Sequence, residues 1–366
     1  MPVSPDHQHA NGEIDIASLH AQDSTGLLDR IDRVVVWDIP LTTPFRGITR
    51  RDGVLLHGPG GWGEVAPFWD YGSEASAPWL AAGLSQALGG VFLPRYRETI
   101  VVNVTVPEVS AEEAAGLVSS SGARTAKVKV SGRRDRRSAD LERLEAVRSA
   151  LGRSGKVRID VNGAWDLDTA RENLPLMDRA AGGLEYAEQP CATVYDLADL
   201  RRAVDVPIAA DESIRLSSNP LEVVHRRAAD VAILKGAPLG GVHRALDMAE
   251  RLGLPAVVSS ALDTSVGIMA GATLAFSLPS LSHACGLGTT RLLTQDVAEP
   301  SVRPSNGTLR LDAAAPVSER LLNEVKAGPY LTRHWQTRLL HLAGALHARR
   351  QREARDPSRA VAGLPL

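Results

Sequence analysis

Short apolar runs alternate with helix-like segments along most of the chain. From position 100 to 290, each apolar run except the last is followed by a segment with helical periodicity, beginning with "TIVVNVTV" and ending with "SHACGL". The runs do not alternate cleanly between polar and apolar residues, which is typical of parallel strands buried on both faces. The pattern therefore predicts eight parallel strands connected by helices.

Eight consecutive strand–helix units favour an α/β barrel of the TIM type over an open sheet. A dinucleotide-binding sheet would carry a glycine-rich turn after its first strand, and the sequence has none there. The segments outside the repeat have other patterns. Residues 30–99 contain short strands joined by Gly and Pro turns and a helix at 73–89, and the strand–helix order is lost after about residue 290.

The two ends of the chain differ again. Residues 1–29 lack the basic start and apolar centre of a secretion signal, and we expect them to form a flexible tail. Residues 331–366 are rich in arginine, with apolar residues at helical spacing from Trp335 to Leu346. This pattern predicts a basic C-terminal segment that is partly an amphipathic helix packed by one face.

Composition excludes several classes of partner. Of 366 residues, 44% are hydrophobic and 23% are charged, as in ordinary globular proteins. The net charge of -2 does not favour nucleic acid or an acidic membrane as a binding partner. The basic C-terminal segment leaves nucleic acid as an alternative partner. Two cysteines, Cys191 and Cys285, give no disulfide framework. No apolar run is long enough to span a bilayer. We expect a cytoplasmic protein that acts on a small molecule, with its oligomeric state open.

Charged residues stand at the carboxyl ends of the predicted strands, where barrel enzymes carry their chemistry. "AKVKV" places Lys127 and Lys129 two positions apart, so both point to the same side of one strand. The following strands end in Asp160, Glu188, Asp211 and Lys235.

Three carboxylates delivered to one rim repel each other, and a hard divalent cation removes that penalty. With no Cys/His cluster to indicate zinc, the sequence predicts Mg²⁺, for which Mn²⁺ can substitute. The lysines would surround an anionic substrate on that ion. We expect their mutual repulsion and the cation to lower their pKa values, so that one lysine can act as a base toward a carbon acid beside a carboxylate.

Five motifs in this order resemble the enolase superfamily, in the branch near the muconate-lactonising enzymes. They are "KVK" at 127–129, "DVN" at 160–162, "EQP" at 188–190, "ADES" at 210–213 and "LKGAPLGG" at 234–241. The superfamily is known for a Lys or His base that works with Mg²⁺. The resemblance covers roughly residues 30–330. It implies a modified TIM barrel, (β/α)7β, at 100–290 and an α+β capping domain formed by 30–99 and 291–330.

The resemblance also implies roles for individual residues. Asp160, Glu188 and Asp211 would be the metal ligands. Lys129 would be the base, and Lys235 would face it across the substrate.

Other roles are implied less directly. Lys127 would support the substrate carboxylate or tune its neighbour. The alternative for both Lys127 and Lys129 is a buried strand end whose ammonium group is directed to solvent. Asn162, Ser259 and Ser260 are candidate substrate contacts, and ordinary loop capping is the alternative for the two serines. The loops near 44–46 and 67–69 would close over the substrate or simply pack the seam between cap and barrel.

Segments such as "LTTPFRGITRRDG" at 41–53 and "GWGEVAPFWDY" at 61–71 resemble branch members that are hydro-lyases of menaquinone biosynthesis. These enzymes dehydrate 2-succinyl-6-hydroxy-2,4-cyclohexadiene-1-carboxylate to 2-succinylbenzoate. The implied reaction is a syn elimination through an enediolate that the metal stabilises. Racemases of N-succinylamino acids and dipeptide epimerases share the same lysines and carboxylates and are the first alternative. A non-catalytic metal-binding scaffold is the second.

Overall fold

Two sheets of different strand direction form the frame of the molecule. In the computed structural model, which describes residues 12–89, 93–310 and 316–355, a four-stranded antiparallel sheet precedes a seven-stranded parallel sheet. The antiparallel sheet belongs to the cap and the parallel sheet forms the barrel wall. This division agrees with the change of pattern near position 100.

The first part of the cap is built from four strands and two helices. They are β1 (Glu13–Ile14), α1 (Ile16–Gln22), β2 (Arg33–Phe45), β3 (Ile48–Gly58), β4 (Gly61–Val65) and α2 (Ser73–Leu88). The prediction of a flexible tail over residues 1–29 is wrong from residue 12 onward. Ile14 pairs with β2 and is buried, as are Leu19 and Leu28, because these side chains complete the cap core. Residues 1–11 lie outside the described residues.

The parallel sheet follows a short strand, β5 (Thr99–Val101). Its strands are β6 (Val104–Val106), β7 (Thr125–Lys129), β8 (Lys156–Asp160), β9 (Leu184–Glu188), β10 (Ile208–Ala210), β11 (Val231–Leu234) and β12 (Ala256–Val258). The predicted eighth strand is reduced to two parallel bridges, Val102–Cys285 and Ser259–Gly286. These bridges join the two edges of the sheet, so the wall closes as the (β/α)7β pattern requires.

Helices pack around this wall. They are α3 (Ala111–Ser121), α4 (Arg137–Leu151), α5 (Leu167–Ala180), α6 (Val194–Ala203), α7 (Glu212–Arg215), α8 (Glu222–His225), α9 (Gly236–Leu239), α10 (Val242–Leu252) and α11 (Ser265–Ser277). Helix α3 begins with a reciprocal capping box, in which the Ser110 side chain accepts from the Glu113 N–H and the Glu113 side chain accepts from the Ser110 N–H.

An apolar layer inside the barrel explains why the charged residues reach the rim. Tyr186, Ile233 and Val257 are buried together in the barrel interior. Glu188 and Lys235 lie two positions after the first two of these residues. Because side chains two apart in a strand share a face, the layer that fills the barrel also directs these charged side chains inward at its mouth.

The C-terminal part of the chain returns to the cap. It contains β13 (Thr308–Arg310), which pairs with β5, then α12 (Glu319–Val325) and the long helix α13 (Pro329–Arg355). Trp335, Leu339 and Leu346 of α13 are buried in the same core as α2, so the predicted amphipathic helix is a structural part of the cap. Within the described part of the chain, no helix is long and apolar enough to cross a membrane.

Because Leu339 is fully buried between α13 and the cap, Leu339→Ala should lower the free energy of unfolding by about 2–5 kcal/mol. Leu340→Ala is the matched control, since Leu340 is only partly buried on the same helix. Denaturant unfolding followed by tryptophan fluorescence would measure both. Equal losses in the two variants would contradict the packing described here.

Candidate active site

The register of adjacent strands brings charged side chains together at the mouth of the barrel. Lys129 at the end of β7 pairs with Asp160 at the end of β8, and Asp160 pairs with Glu188 at the end of β9. Asp211 and Lys235 directly follow β10 and β11. The structure therefore brings these sequence-predicted residues to one rim, because the carboxyl ends of these parallel strands are in register.

Both lysines of the "AKVKV" strand bind carboxylates. The Lys127 Nζ donates hydrogen bonds to Asp160 Oδ2 at 2.9 Å and to Glu188 Oε1 at 3.0 Å. The Lys129 Nζ donates to the same Asp160 oxygen at 2.7 Å and to Asn162 Oδ1 at 2.6 Å. The interpretation of Lys127 as a strand end directed to solvent is wrong, because its side chain is buried between two acids.

Asp211 is held by two cations. Its Oδ2 accepts a hydrogen bond from Lys235 Nζ, and its Oδ1 accepts one from Arg215 Nε at 2.9 Å. Arg215 also donates to Glu212 at 2.8 Å and to the Tyr71 hydroxyl at 3.0 Å. The sequence interpretation missed Arg215, although its spacing of four residues from Asp211 indicates a pair on one helical turn.

The three buried carboxyl groups have different pKa values. Burial and repulsion from Asp160 raise the pKa of Glu188 to about 7. Burial opposes ionisation of Asp160 as well, but Lys127 and Lys129 hold its pKa well below the usual range. Arg215 and Lys235 outweigh the burial of Asp211 and lower its pKa to about 2. The carboxyl group with the least cationic compensation is therefore Glu188.

The two lysines of β7 shift in opposite directions. Burial lowers the pKa of Lys129, with a further contribution from repulsion by Lys127, so the predicted direction is confirmed for this residue. For Lys127 the prediction is wrong: the charges of Asp160 and Glu188 outweigh its burial and raise its pKa. Lys127 is thus the more firmly charged lysine, and Lys129 loses its proton more readily of the two.

The three carboxylates Asp160, Glu188 and Asp211 are chemically suited to a hard cation, although in this structure they bind lysine and arginine side chains. Within the described residues, no group of three His, Cys, Asp or Glu side chains is arranged so that it could hold a metal ion. Lys127 lies between Asp160 and Glu188, and Arg215 and Lys235 bind Asp211. Three buried carboxylates from adjacent strands nevertheless provide oxygen atoms of the kind that Mg²⁺ binds. The ammonium and guanidinium groups among them show that this place accommodates positive charge. Their role as ligands stays a prediction.

The predicted substrate contacts lie beside the lysines. Asn162, which adopts a left-handed backbone (φ 52°), accepts from Lys129 and donates to Glu212 at 3.1 Å. The Ser260 hydroxyl donates to the Gly286 carbonyl at 2.9 Å and lies 2.7 Å from the Thr289 hydroxyl. Ser259 is within 3.5 Å of the same carbonyl. These serines also stabilise the loop, as the capping alternative requires.

The cap covers this site. Phe45, Arg46 and Phe68 line a space of about 40 Å³ together with the lysines, Asp160, Asn162 and the two serines. The Lys129 Nζ lies 5.4 Å from the Phe45 ring centroid. Both predicted cap loops therefore contribute aromatic side chains to the site itself.

Two cap residues hold the loop at 259–264 that follows β12. Arg51 donates to the Leu262 carbonyl at 3.2 Å and also to the Ala66 carbonyl, while Leu262 itself has a left-handed backbone (φ 64°). Glu64 accepts from the backbone N–H groups of Thr264 at 3.1 Å and of Gly267 at 2.9 Å. A strained loop beside the site is thus fixed by the cap and not by the barrel alone.

A barrel with this cap and with lysines and carboxylates at its strand ends defines a protein of the enolase superfamily. Residues 36–87 match the family model Enolase N-terminal domain-like, and residues 109–316 match Enolase C-terminal domain-like. An o-succinylbenzoate synthase of Thermobifida fusca is 54% identical over 82% of this chain and 93% of its own length. The chain belongs to the o-succinylbenzoate synthase family of this superfamily.

Solved structures support the same fold. An N-succinyl Arg/Lys racemase from Bacillus cereus matches with a TM-score of 0.69 and 21% identity, covering 81% of this chain and 98% of that one. A dipeptide epimerase from Cytophaga hutchinsonii, in complex with Mg and a dipeptide, matches with a TM-score of 0.67 and 22% identity over 81% of this chain and 98% of that one. The predicted modified TIM barrel with an α+β cap is confirmed.

Burial and the charge of nearby Asp263 raise the pKa of Glu64 from its ordinary value of 4.5 to about 8. A carboxyl group with a raised pKa in the folded state stabilises that state below pH 4.5, and this contribution is lost as the pH rises through 8. We expect Glu64 alone to contribute a fall in the free energy of unfolding of up to roughly 1.4 kcal/mol per pH unit across this window. Glu64→Gln should flatten the slope in denaturant unfolding measured at several pH values.

Glu112→Gln, on the exposed face of α3, is the control and should keep the wild-type slope. An unchanged slope in Glu64→Gln would show that another group carries the pH dependence.

Proposed function

We propose that this chain catalyses the syn dehydration of 2-succinyl-6-hydroxy-2,4-cyclohexadiene-1-carboxylate to 2-succinylbenzoate, as a hydro-lyase of menaquinone biosynthesis. Its family membership and its 54% identity to the Thermobifida fusca o-succinylbenzoate synthase support this substrate. The observation that carries the proposal is the shared space lined by Lys129 and Lys235 beneath the cap. We place the reaction in the cytoplasm, with a small carboxylate as the partner and without nucleic acid or membrane.

Lys129 is the proposed base. Its lowered pKa favours the neutral amine, which removes the proton from the ring carbon beside the carboxylate. The resulting ammonium group donates that proton to the hydroxyl group on the same face of the ring, which leaves as water. The electron pair of the broken C–H bond completes the aromatic ring, so one side chain performs both proton transfers.

Lys235 and Lys127 have supporting roles. Lys235, bound to Asp211, approaches from another strand and stabilises the anionic ring through a cation–π contact. Lys127, whose pKa is raised, stays charged and keeps Asp160 and Glu188 together. We propose Asn162, Ser259 and Ser260 as neighbouring contacts of the substrate.

We propose Asp160, Glu188 and Asp211 as the residues that would hold Mg²⁺, or Mn²⁺ in its place. The bound cation would supply positive charge at the substrate carboxylate, where negative charge develops as the proton is removed.

A two-base reaction on N-succinylamino acids or dipeptides is the second candidate. The observation in its favour is that Lys129 and Lys235 reach the same space from β7 and from the end of β11, as proton exchange on two faces of one carbon requires. In that reaction each lysine would act as acid or base in turn.

Lys129→Met should lower kcat for the cyclohexadiene substrate by roughly 10²–10⁴-fold, because it removes the only group proposed to move the proton. The loss of diene absorbance in the presence of Mg²⁺ measures the rate. Lys156→Met is the matched control. Lys156 lies at the amino end of β8, at the opposite end of the strand from Asp160, and its side chain is 55% exposed.

The same proteins should be tested with N-succinylamino acids in deuterated water. Deuterium exchange without any dehydration by the wild-type protein would replace the proposed reaction with the second candidate. If Lys129→Met dehydrates the substrate at the wild-type rate, Lys129 is not the base.

Exhaustive chelation should abolish dehydration, and Mg²⁺ should restore it, since the bound cation would supply the positive charge that opposes the developing anion. Mg²⁺ should also raise the unfolding temperature of the wild-type protein by relieving repulsion among the carboxylates. Asp160→Asn should lose this thermal shift, whereas Asp168→Asn, whose side chain is 93% exposed on α5, should keep it. Full activity after chelation would contradict the proposed cofactor.

A further inference from the structure

The segment of residues 66–71, here termed the cover loop, closes the site from the cap side. Phe68 of this loop lines the space above the lysines. The Tyr71 hydroxyl accepts hydrogen bonds from Arg215 at 3.0 Å and from Arg46 at 3.2 Å. This space measures only about 40 Å³, whereas pockets for small ligands usually reach roughly 300 Å³ or more, so the placement of the cover loop helps to decide how much room a substrate has.

The cover loop is held from behind by Arg338 of α13. The Arg338 Nη2 donates to the Phe68 carbonyl at 2.7 Å and to the Tyr71 carbonyl at 3.4 Å. Its guanidinium group also lies 4.3 Å from the Trp69 ring centroid. A helix more than 250 residues away in sequence thus binds the backbone of the loop at two points.

A second contact fixes the same loop to the same helix. The indole N–H groups of Trp69 and Trp335 both donate to Asp52 Oδ2, at 2.8 Å and 2.7 Å. Their rings lie 5.1 Å apart. Asp52 therefore connects the exposed end of the loop to α13 through β3.

The surroundings of Arg338 are unusual for an arginine that serves stability alone. It is nine-tenths buried, and its hydrogen bonds go to neutral oxygens, while the charges of Asp52 and Asp70 act on it without a direct ion pair within the described residues. Its Nη1 has no hydrogen-bond partner, and burial lowers its pKa to about 10. The Arg338 side chain thus directs its hydrogen bonds to the loop carbonyls, while its charge lies against the rings of Trp69 and Trp335.

We propose that Arg338 is a positioning residue that sets the closed placement of the cover loop over the active site by binding the carbonyl groups of Phe68 and Tyr71. It touches neither the lysines nor the carboxylates. Its effect reaches the site through Tyr71, whose hydroxyl binds Arg215, which in turn binds Asp211. The consequence is a helix outside the barrel that governs how tightly the substrate is enclosed.

The test compares Arg338→Gln and Arg338→Lys with Arg333→Gln, because Arg333 is exposed on the same helix. Amide hydrogen exchange of residues 66–71 should accelerate in Arg338→Gln while the rest of the cap stays at the wild-type rate. KM for the cyclohexadiene substrate should rise by roughly tenfold, the value of one charged hydrogen bond, with kcat within threefold of wild type. Arg338→Lys, which keeps one donor to a carbonyl, should be intermediate, and Arg333→Gln should equal wild type.

Exchange that accelerates throughout the cap, or an unchanged loop and an unchanged KM, would overturn the proposal and leave Arg338 a packing residue. If Arg338→Gln does not fold, Arg338→Lys decides between the same two outcomes. The kinetic arm rests on the proposed function, whereas hydrogen exchange needs no substrate. A loop loosened in a protein that does not dehydrate the substrate would therefore support the positioning role and reject only the proposed reaction.

Discussion

Mutual compensation of buried charges is the constraint on which the barrel mouth depends. Lys127 lies between Asp160 and Glu188, and Lys235 and Arg215 share Asp211. None of these groups is tolerated alone at such depth, because removing one partner of a buried ion pair leaves the other desolvated and unpaired. The strand register that sets their spacing is therefore as important as their identities. The compensation is incomplete at Glu188, whose pKa is raised. A further positive charge would therefore stabilise the ionised form of this carboxyl group most.

Cap and barrel complete each other through polar groups and not only through an apolar seam. Arg51 and Glu64 of the cap sheet bind the backbone of the loop that carries Ser259 and Ser260, while Arg215 of the barrel binds Tyr71 of the cap. Each domain thus holds a segment of the other in place. The site has its geometry only when both are folded and docked, which distinguishes it from a barrel site built on βα loops alone.

The sequence was most informative where local pattern and topology coincide. Charged residues after apolar strands could be assigned to one rim because parallel strands end together, and this holds for Lys129, Asp160 and Glu188. The rise in the pKa of Lys127 could not be predicted, since it depends on distances to two acids on other strands. Arg338 was equally hidden. Its hydrogen bonds to the cover loop go to main-chain carbonyls, which every residue possesses, so the residue types of the loop do not indicate them.

That mode of attachment has a consequence for how such a protein diversifies. Because Arg338 donates its hydrogen bonds to the carbonyl oxygens of Phe68 and Tyr71, these bonds between the cover loop and α13 do not depend on the two side chains. Phe68, which lines the space above the lysines, can therefore be exchanged without removing this attachment, whereas Tyr71 also carries the hydroxyl that binds Arg215. Attachment to α13 and the shape of the site at Phe68 are thus encoded by separate residues, so that mutation at this one position can change ligand preference while the attachment is inherited unchanged.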